Sequence, residues 1–335
     1  MKYMEDRNKP SIFETNLLYL FAGLLLLIVG SRVQLREIYS GLLITEYILI
    51  LLPVLLFLKI RRYPINKVLR LNRISFKEII LVIGITVFTY PIAVFFQSIF
   101  VLLLSQFKEM TPTVVPMPYD GFQYLISFFV IAISPGICEE IMFRGIIMDS
   151  YERLGRKKSV IISALLFGMF HFTLLNYVGP AILGFVFGLM VYKTNSIYAG
   201  IIGHTVNNGI ALTIGYFINK YQHQIDSIIS DSPMTLETTS VIRQTLVPFL
   251  FLILCFYMVK LMLRSLGPLE AKDHEVELQE ALYFEGLSDD DYKMEHIYDY
   301  QELPHRPENL NSLKYLPLLT VFIIFILLNW LNHFL

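Results

Sequence analysis

Residues 138–144 read Cys-Glu-Glu-Ile-Met-Phe-Arg, which places three charged side chains inside a long apolar run. The flanking residues 128–133 and 145–148 are apolar. A helix long enough to cross a bilayer would therefore carry two carboxylates and a guanidinium into or beside hydrocarbon. Each such charge costs about 2.5 to 3.5 kcal/mol at mid-membrane on insertion scales. The stretch thus predicts a buried polar site inside a membrane helix and argues against a surface helix with a wet face.

The spacing of these charges predicts which of them offset each other. Glu140 and Arg144 are four residues apart, so they lie on one helix face in the order that favours an ion pair. Glu139 is turned by about 100° from Glu140, one step of a 3.6-residue repeat. We therefore expect Glu140 and Arg144 to form a supporting ion pair and Glu139 to face another helix of a bundle.

The composition of the chain indicates a membrane protein. Of its 335 residues, 55% are hydrophobic and 16% are charged, whereas soluble domains carry about 25% charged residues. The net charge of -1 gives nucleic-acid binding no electrostatic support. Cys138 and Cys255 both lie in predicted spans, so neither a disulfide framework nor a cysteine metal site is indicated.

The predicted fold class is all-α, a polytopic membrane bundle of about eight to nine hydrophobic helices. The sixth apolar window is too short to cross a bilayer comfortably, and Pro135-Gly136 predicts a kink or break in the fourth. The apolar windows are 12–30, 41–58, 79–104, 122–148, 160–177, 180–192, 197–218, 245–263 and 315–335.

Orientation follows from the lysines and arginines of short loops. The loops at residues 59–77 and 153–158 are strongly basic, which predicts that both are cytoplasmic, together with the N-terminus. We expect a multi-pass protein of the cell (plasma) membrane. Residues 61–77 are predicted to form an interfacial helix that contacts anionic lipid headgroups. The acidic stretch 267–311 is interpreted as a cytoplasmic linker.

Two later windows carry polar residues that are predicted to face Glu139. The fifth window contains Phe167 and His171, and the seventh contains His204 and Asn208 on one face, with Asn207 rotated off it. With the orientation above, Glu139, His171 and His204 lie roughly 10 to 17 Å below the cytoplasmic surface, at about 1.5 Å per residue. Polar groups at one depth on three helices predict one buried site.

These residue types fit the hydrolysis of a peptide bond. A buried carboxylate beside a neutral histidine can hold a water molecule and take its proton. A second histidine and an amide on one helix face suit stabilisation of an oxyanion. The set contains no serine or cysteine, so water-mediated hydrolysis is favoured over a covalent acyl intermediate.

Three motifs carry a resemblance to a known family: Glu139-Glu140-x-x-x-Arg144, Phe167-x-x-x-His171 and His204-x-x-x-Asn208. In order and separation they resemble the motifs of the CAAX protease and bacteriocin-processing family (CPBP, or Abi) of intramembrane proteases. The type II CAAX prenyl endopeptidases belong to that family. The resemblance covers about residues 122–218.

The resemblance implies a role for each matching position. Glu139 would activate the water with help from His171, His204 and Asn208 would form the oxyanion hole, and Glu140 with Arg144 would be the supporting pair. No cofactor is implied. The implied partners are a peptide or protein substrate, either a prenylated CAAX-type peptide or another membrane-associated peptide, and membrane lipid.

The resemblance also divides the chain. Residues 122–218 form the expected catalytic core, preceded by N-terminal membrane helices with a basic cytoplasmic loop. The remaining segments are an exterior loop with a further membrane helix, an acidic cytoplasmic segment and a C-terminal membrane helix. The boundaries are 1–121, 122–218, 219–264, 265–313 and 314–335.

Other interpretations use the same residues. Glu139, His171 and His204 form a ligand set that would suit zinc with an open fourth position, although the His-Glu-x-x-His signature of helical zinc proteases is absent. A membrane scaffold or bacteriocin-immunity protein without catalysis is another possibility, in which the charged cluster holds spans together. A proton-relay transporter is a weaker one, because the polar groups cluster at one depth.

Overall fold

The structure of the chain is a computed structural model that describes residues 9–107, 117–222, 238–267 and 312–331. The described residues form helices and turns without a strand. The helices are α1 Ile12–Arg36, α2 Ile38–Ile60, α3 Ile65–Val68, α4 Phe76–Ser105, α5 Gly121–Leu154, α6 Arg156–Met169, α7 Val178–Thr194, α8 Ile197–Lys220, α9 Thr238–Ser265 and α10 Leu316–Leu331.

This architecture confirms the predicted all-α membrane bundle. Seven of the helices are long and apolar enough to cross a membrane, namely α1, α2, α4, α5, α7, α9 and α10. Large apolar side chains point outwards along α9 and α10, including Phe249, Ile253, Phe322 and Ile323. Such an outer surface suits contact with lipid tails. The chain is a multi-pass integral membrane protein.

The helices begin where the sequence supplies caps. Ser11 and Glu14 form a capping box at the start of α1, and Ser75 and Glu78 form the same motif at the start of α4. Each serine side chain satisfies a backbone N–H that would otherwise lack a partner inside the helix. The Glu37 carboxylate accepts hydrogen bonds from two backbone N–H groups at the start of α2.

The fifth predicted span is wrong in its length. Helix α6 has 14 residues and ends at Met169, which is about 21 Å and too short for a bilayer. The chain then turns through Phe172, whose φ of 54° lies in the left-handed region. Conversely, the window predicted to be too short is part of a 21-residue helical segment, Leu174–Thr194. The apolar pattern runs through the turn, so it does not mark where the helix stops.

The predicted interfacial helix at residues 61–77 is also wrong. Between residues 61 and 75 only Ile65–Val68 is helical, because Arg62 and Arg70 have positive φ and Pro64 interrupts the backbone hydrogen bonds; residues 76–77 already belong to α4. Arg70 is 8% exposed and donates to Glu152 at 2.9 Å and to Asn195 Oδ1 at 2.9 Å. Arg70 is therefore bound within the protein and does not face lipid headgroups.

Helix α5 occupies the centre of the bundle, where it contacts α1, α2, α6 and α8. One apolar core joins α1, α2, α5 and α6, and a second joins α4, α7, α8 and α9. The predicted acidic linker falls mainly on residues 268–311, which lie outside the described residues, as do residues 108–116 of the predicted loop before α5.

Candidate active site

The glutamate pair lies in a short α-helical section of α5 between two π-helical sections. Residues Phe128–Ile133 and Ile141–Ile147 are π-helical, and Ser134–Glu140 is α-helical. Such π turns inside a helix are rare and are often found at functional sites. The predicted disturbance at Pro135 therefore takes the form of a change in helix type, and the helix runs on through it.

Pro135 also has a consequence for the neighbouring helix α8. Proline has no N–H to donate to the carbonyl four residues earlier, which here belongs to Ile131. Asn208 Nδ2 on α8 donates to that carbonyl at 3.0 Å. A Cβ atom on Gly136 would collide with Thr205 of α8, so this glycine permits the close approach of α5 and α8.

Glu140 and Arg144 form an ion pair that is completely buried. Arg144 Nη1 donates to Glu140 Oε1 at 2.7 Å, and both side chains are 0% exposed. The Arg144 guanidinium lies 4.5 Å from the centroid of the Phe167 ring, in cation–π contact. The structure thus brings these two residues together in the way that their spacing predicts.

His204 extends this pair to helix α8. Its Nδ1 atom lies 2.9 Å from Glu140 Oε1, and its ring stacks on Phe187 with centroids 5.7 Å apart. The carboxylate of Glu140 has room because residue 200 is glycine, where a Cβ atom would lie 2.6 Å from Glu140 Oε2. Since a carboxylate accepts hydrogen bonds, His204 carries its proton on Nδ1 toward Glu140.

Glu139 is turned away from the pair and reaches a cavity. Its side chain is 14% exposed, and its Oε2 atom lies 3.8 Å from His204 Nε2. That separation is too long for a direct hydrogen bond. Glu139 therefore has a carboxylate oxygen available to a small molecule in the cavity, whereas the Oε1 atom of Glu140 is bound by Arg144 and His204.

His171 reaches the same cavity from the turn after α6. Its Nδ1 atom lies 3.2 Å from the carbonyl of Phe167. When Nδ1–H donates to that carbonyl, Nε2 is left as an acceptor. The sequence placed His171 inside a membrane helix, whereas the structure places it on the turn just beyond the end of α6.

Asn207 and Asn208 both line the cavity from α8. The sequence predicts Asn207 off the helix face that His204 and Asn208 share; its side chain nevertheless lines the cavity, and its Nδ2 donates to Asn208 Oδ1 at 3.0 Å. With one Nδ2–H of Asn208 donated to Ile131, the second N–H of that amide remains for a ligand.

The cavity has a volume of about 490 Å³ and a polar end formed by Glu139, His171, His204, Asn207 and Asn208. Apolar side chains of α4, α7 and α8 form most of its remaining wall, including Ala93, Val94, Leu183 and Leu212. A cavity of this size with few polar groups at one end is typical of a site that holds an apolar ligand in one orientation.

Glu46 of α2 is a further acidic residue of this site that the sequence analysis missed. It is 5% exposed and lines the cavity with Glu139. The sequence does contain a signal for Glu46, because an ionisable residue within an apolar span indicates a functional role.

A metal site would need a group of ligands around one point. Within the described residues, no three histidine, cysteine, aspartate or glutamate side chains are grouped so as to hold a metal ion. Glu139, His171 and His204 share a cavity wall without forming such a group.

Comparison with known proteins matches the segment that carries Glu139, His171, His204 and Asn208. Residues 121–210 match one protein-family model. That family is the type II CAAX prenyl endopeptidase Rce1-like family. The match confirms the resemblance to the CAAX protease and bacteriocin-processing family. The Rce1-like segment covers about a quarter of the chain and includes all three motifs. No curated protein and no solved structure matches the chain.

Proposed function

We propose that the protein is an intramembrane endopeptidase that hydrolyses a peptide bond of a membrane-associated substrate with a water molecule activated by Glu139. The observation that carries the proposal is the arrangement of Glu139, His171, His204 and Asn208. These four side chains come from α5, α8 and the turn after α6, and they line one end of a single cavity. Three motifs distant in sequence thus supply a base and hydrogen-bond donors to one cavity.

Glu139 acts as the general base. A water molecule between Glu139 and His171 gives a proton to the carboxylate as its oxygen attacks the peptide carbonyl carbon. His171 Nε2 accepts a hydrogen bond from the other O–H of that water and orients it, because its Nδ1 is bonded to the carbonyl of Phe167. When the tetrahedral intermediate collapses, Glu139 passes its proton to the leaving nitrogen. The proton balance then closes without a covalent enzyme intermediate.

His204 and Asn208 stabilise the oxyanion. Asn208 offers its second N–H, and the hydrogen bond to Ile131 holds the amide in place. With Nδ1–H of His204 bonded to Glu140, Nε2 donates only when the ring is an imidazolium. In that form the Nε2–H donates to the oxyanion, and the positive charge of the ring stabilises it. The Arg144–Glu140 pair fixes the ring and has no contact with substrate in this scheme.

The substrate class follows from the shape of the cavity. Its walls are mostly apolar, which suits a peptide with an apolar side chain or an attached prenyl group. We propose hydrolysis without a metal ion, and we propose that the basic loops and the N-terminus face the cytoplasm at the plasma membrane. A tag at residue 1 would then be digested by protease only after the membrane is opened.

Cleavage of a mixed peptide library tests the proposed function. The library contains prenylated and unprenylated peptides, and mass spectrometry identifies the products formed by the purified protein with and without a chelator. We expect internal peptide bonds to be cut at rates that the chelator does not change. Loss of cleavage with the chelator, restored by zinc, would replace the proposed mechanism with the zinc alternative. If the protein cuts no peptide, and its Glu139→Gln variant keeps the biological activity of the parent in cells, the protein acts as a scaffold.

A further inference from the structure

A second cavity lies between α1, α2, α5 and the turn after α6. Its volume is about 340 Å³. Its wall includes three polar side chains near the turn at Glu37, namely Ser31, Gln34 and Thr45. Gln34 Nε2 donates to Thr45 Oγ1 at 2.9 Å. A cavity of this size with several hydrogen-bonding groups is suited to hold water.

The two cavities share part of their walls. Leu42, Glu46, Glu139 and His171 line both of them. The base proposed for the reaction and the histidine beside it are therefore reached from two directions. The first cavity has the apolar walls that suit a substrate, and the second approaches the same carboxylate along polar side chains of α1 and α2.

Glu46 stands at this junction without a protein partner. It is 5% exposed, its buried Oε2 atom has no hydrogen-bond partner among the described residues, and it makes no ion pair with them. It lines both cavities together with Glu139. A buried carboxyl that lacks a partner is costly, and a second carboxylate nearby adds repulsion. A water molecule that bridges the two groups would offset both costs.

We propose that the second cavity supplies water to Glu139 and that Glu46 is a positioning residue that holds the incoming water at the junction. This inference rests on the proposed function, since each hydrolysis consumes one water molecule. A peptide in the first cavity displaces water from that side, so the replacement must arrive from elsewhere. The side chain of Glu46 hydrogen-bonds to the water, while the proton removed in the reaction goes to Glu139.

Cysteine labelling tests the path without requiring any cleavage. Cys138 and Cys255 are replaced by alanine, and Thr45→Cys is compared with Thr89→Cys under a small, permanently charged methanethiosulfonate reagent. Both threonines are buried, at 5% and 1% exposure, but Thr89 lines neither cavity. A thiol reacts only where water supports its thiolate. We expect complete labelling of Thr45→Cys under conditions that leave Thr89→Cys unlabelled.

An unlabelled Thr45→Cys protein would overturn the water path. Ile50→Cys, at a buried position that lines the second cavity alone, replaces it if Thr45→Cys does not fold. The labelled protein should bind peptide with unchanged KM and a strongly reduced kcat, because the added group fills the path. If the cysteine-free parent cuts no peptide, the proposed function fails, and the labelling still decides whether water reaches the junction.

Substitution of Glu46 tests its part in the proposal. Glu46→Gln keeps a hydrogen-bonding group of the same shape, so it should retain most of the kcat. Glu46→Leu removes hydrogen bonding while it fills the space, so it should lower kcat and leave KM unchanged. Equal activity of Glu46→Leu and the parent would contradict a role in holding water. Equal loss in both variants, with KM raised, would indicate a structural role.

Discussion

His204 Nδ1 lies 2.9 Å from Glu140 Oε1, the same oxygen that accepts a hydrogen bond from Arg144 Nη1 at 2.7 Å. One buried carboxylate oxygen thus links a guanidinium on α5 to an imidazole on α8. The link fixes the tautomer and the plane of the His204 ring, and it directs Nε2 toward Glu139. A group that orients a histidine in this way often matters as much as the histidine itself.

Removing the charge of Glu140 should destabilise the protein strongly. Glu140→Gln leaves the buried Arg144 guanidinium without a counter-charge, and breaking a buried pair in this way costs about 3 to 5 kcal/mol. The loss should appear as a lower unfolding temperature in detergent. The double variant Glu140→Gln with Arg144→Met removes both charges and should recover part of the loss. If the loss of stability in the double variant equals the sum of the losses in Glu140→Gln and Arg144→Met alone, the two charges are not coupled.

Gly200→Ala should disturb the Glu140 carboxylate. The added Cβ atom would lie 2.6 Å from Glu140 Oε2, so the carboxylate must move and take His204 with it. Overpacking of this kind costs about 1 to 3 kcal/mol, and cleavage should fall with it. Gly121→Ala is the matched control, because nothing lies within 4 Å of its added Cβ atom. A Gly200→Ala enzyme as stable and active as Gly121→Ala would refute the tight packing at this point.

Asn208→Ala should lower kcat by about 10² to 10³, the loss that follows removal of one oxyanion donor. Asn219→Ala on the exposed part of the same helix should leave kcat unchanged. Because Asn208 also donates to the Ile131 carbonyl, unfolding temperatures of both variants should be compared. If total activity falls only because less of the Asn208→Ala protein is folded, and kcat per folded molecule is unchanged, then Asn208 is a structural residue and not an oxyanion donor.

The sequence predicted those parts of the site that depend on local geometry. The four-residue spacing of Glu140 and Arg144 places them on one face wherever the helix lies, and the structure shows them in contact. The 100° step likewise separates Glu139 from Glu140. The apolar windows predicted the membrane helices for the same reason, since burial in lipid leaves a long local signal.

Those parts of the site that depend on packing between distant segments could not be predicted from local spacing in the sequence. Helix α6 ends at Met169 while the sequence stays apolar, so the turn that carries His171 left no polar signal. Asn207 lines the cavity together with Asn208, although helical spacing turns adjacent residues apart by about 100°. Glu46 joins the site from α2, far outside the three motifs and the matched segment.

The rate of peptide cleavage by Glu139→Gln tests the central claim most directly. The variant keeps the shape of the side chain and removes the base, and the cleaved peptide is the one identified from the library. Glu37→Gln, at the exposed turn between α1 and α2, is the matched control. We predict a fall in kcat of at least about 100-fold for Glu139→Gln, with an unchanged unfolding temperature and no effect of Glu37→Gln. A folded Glu139→Gln protein that cleaves at the rate of the parent would contradict the mechanism.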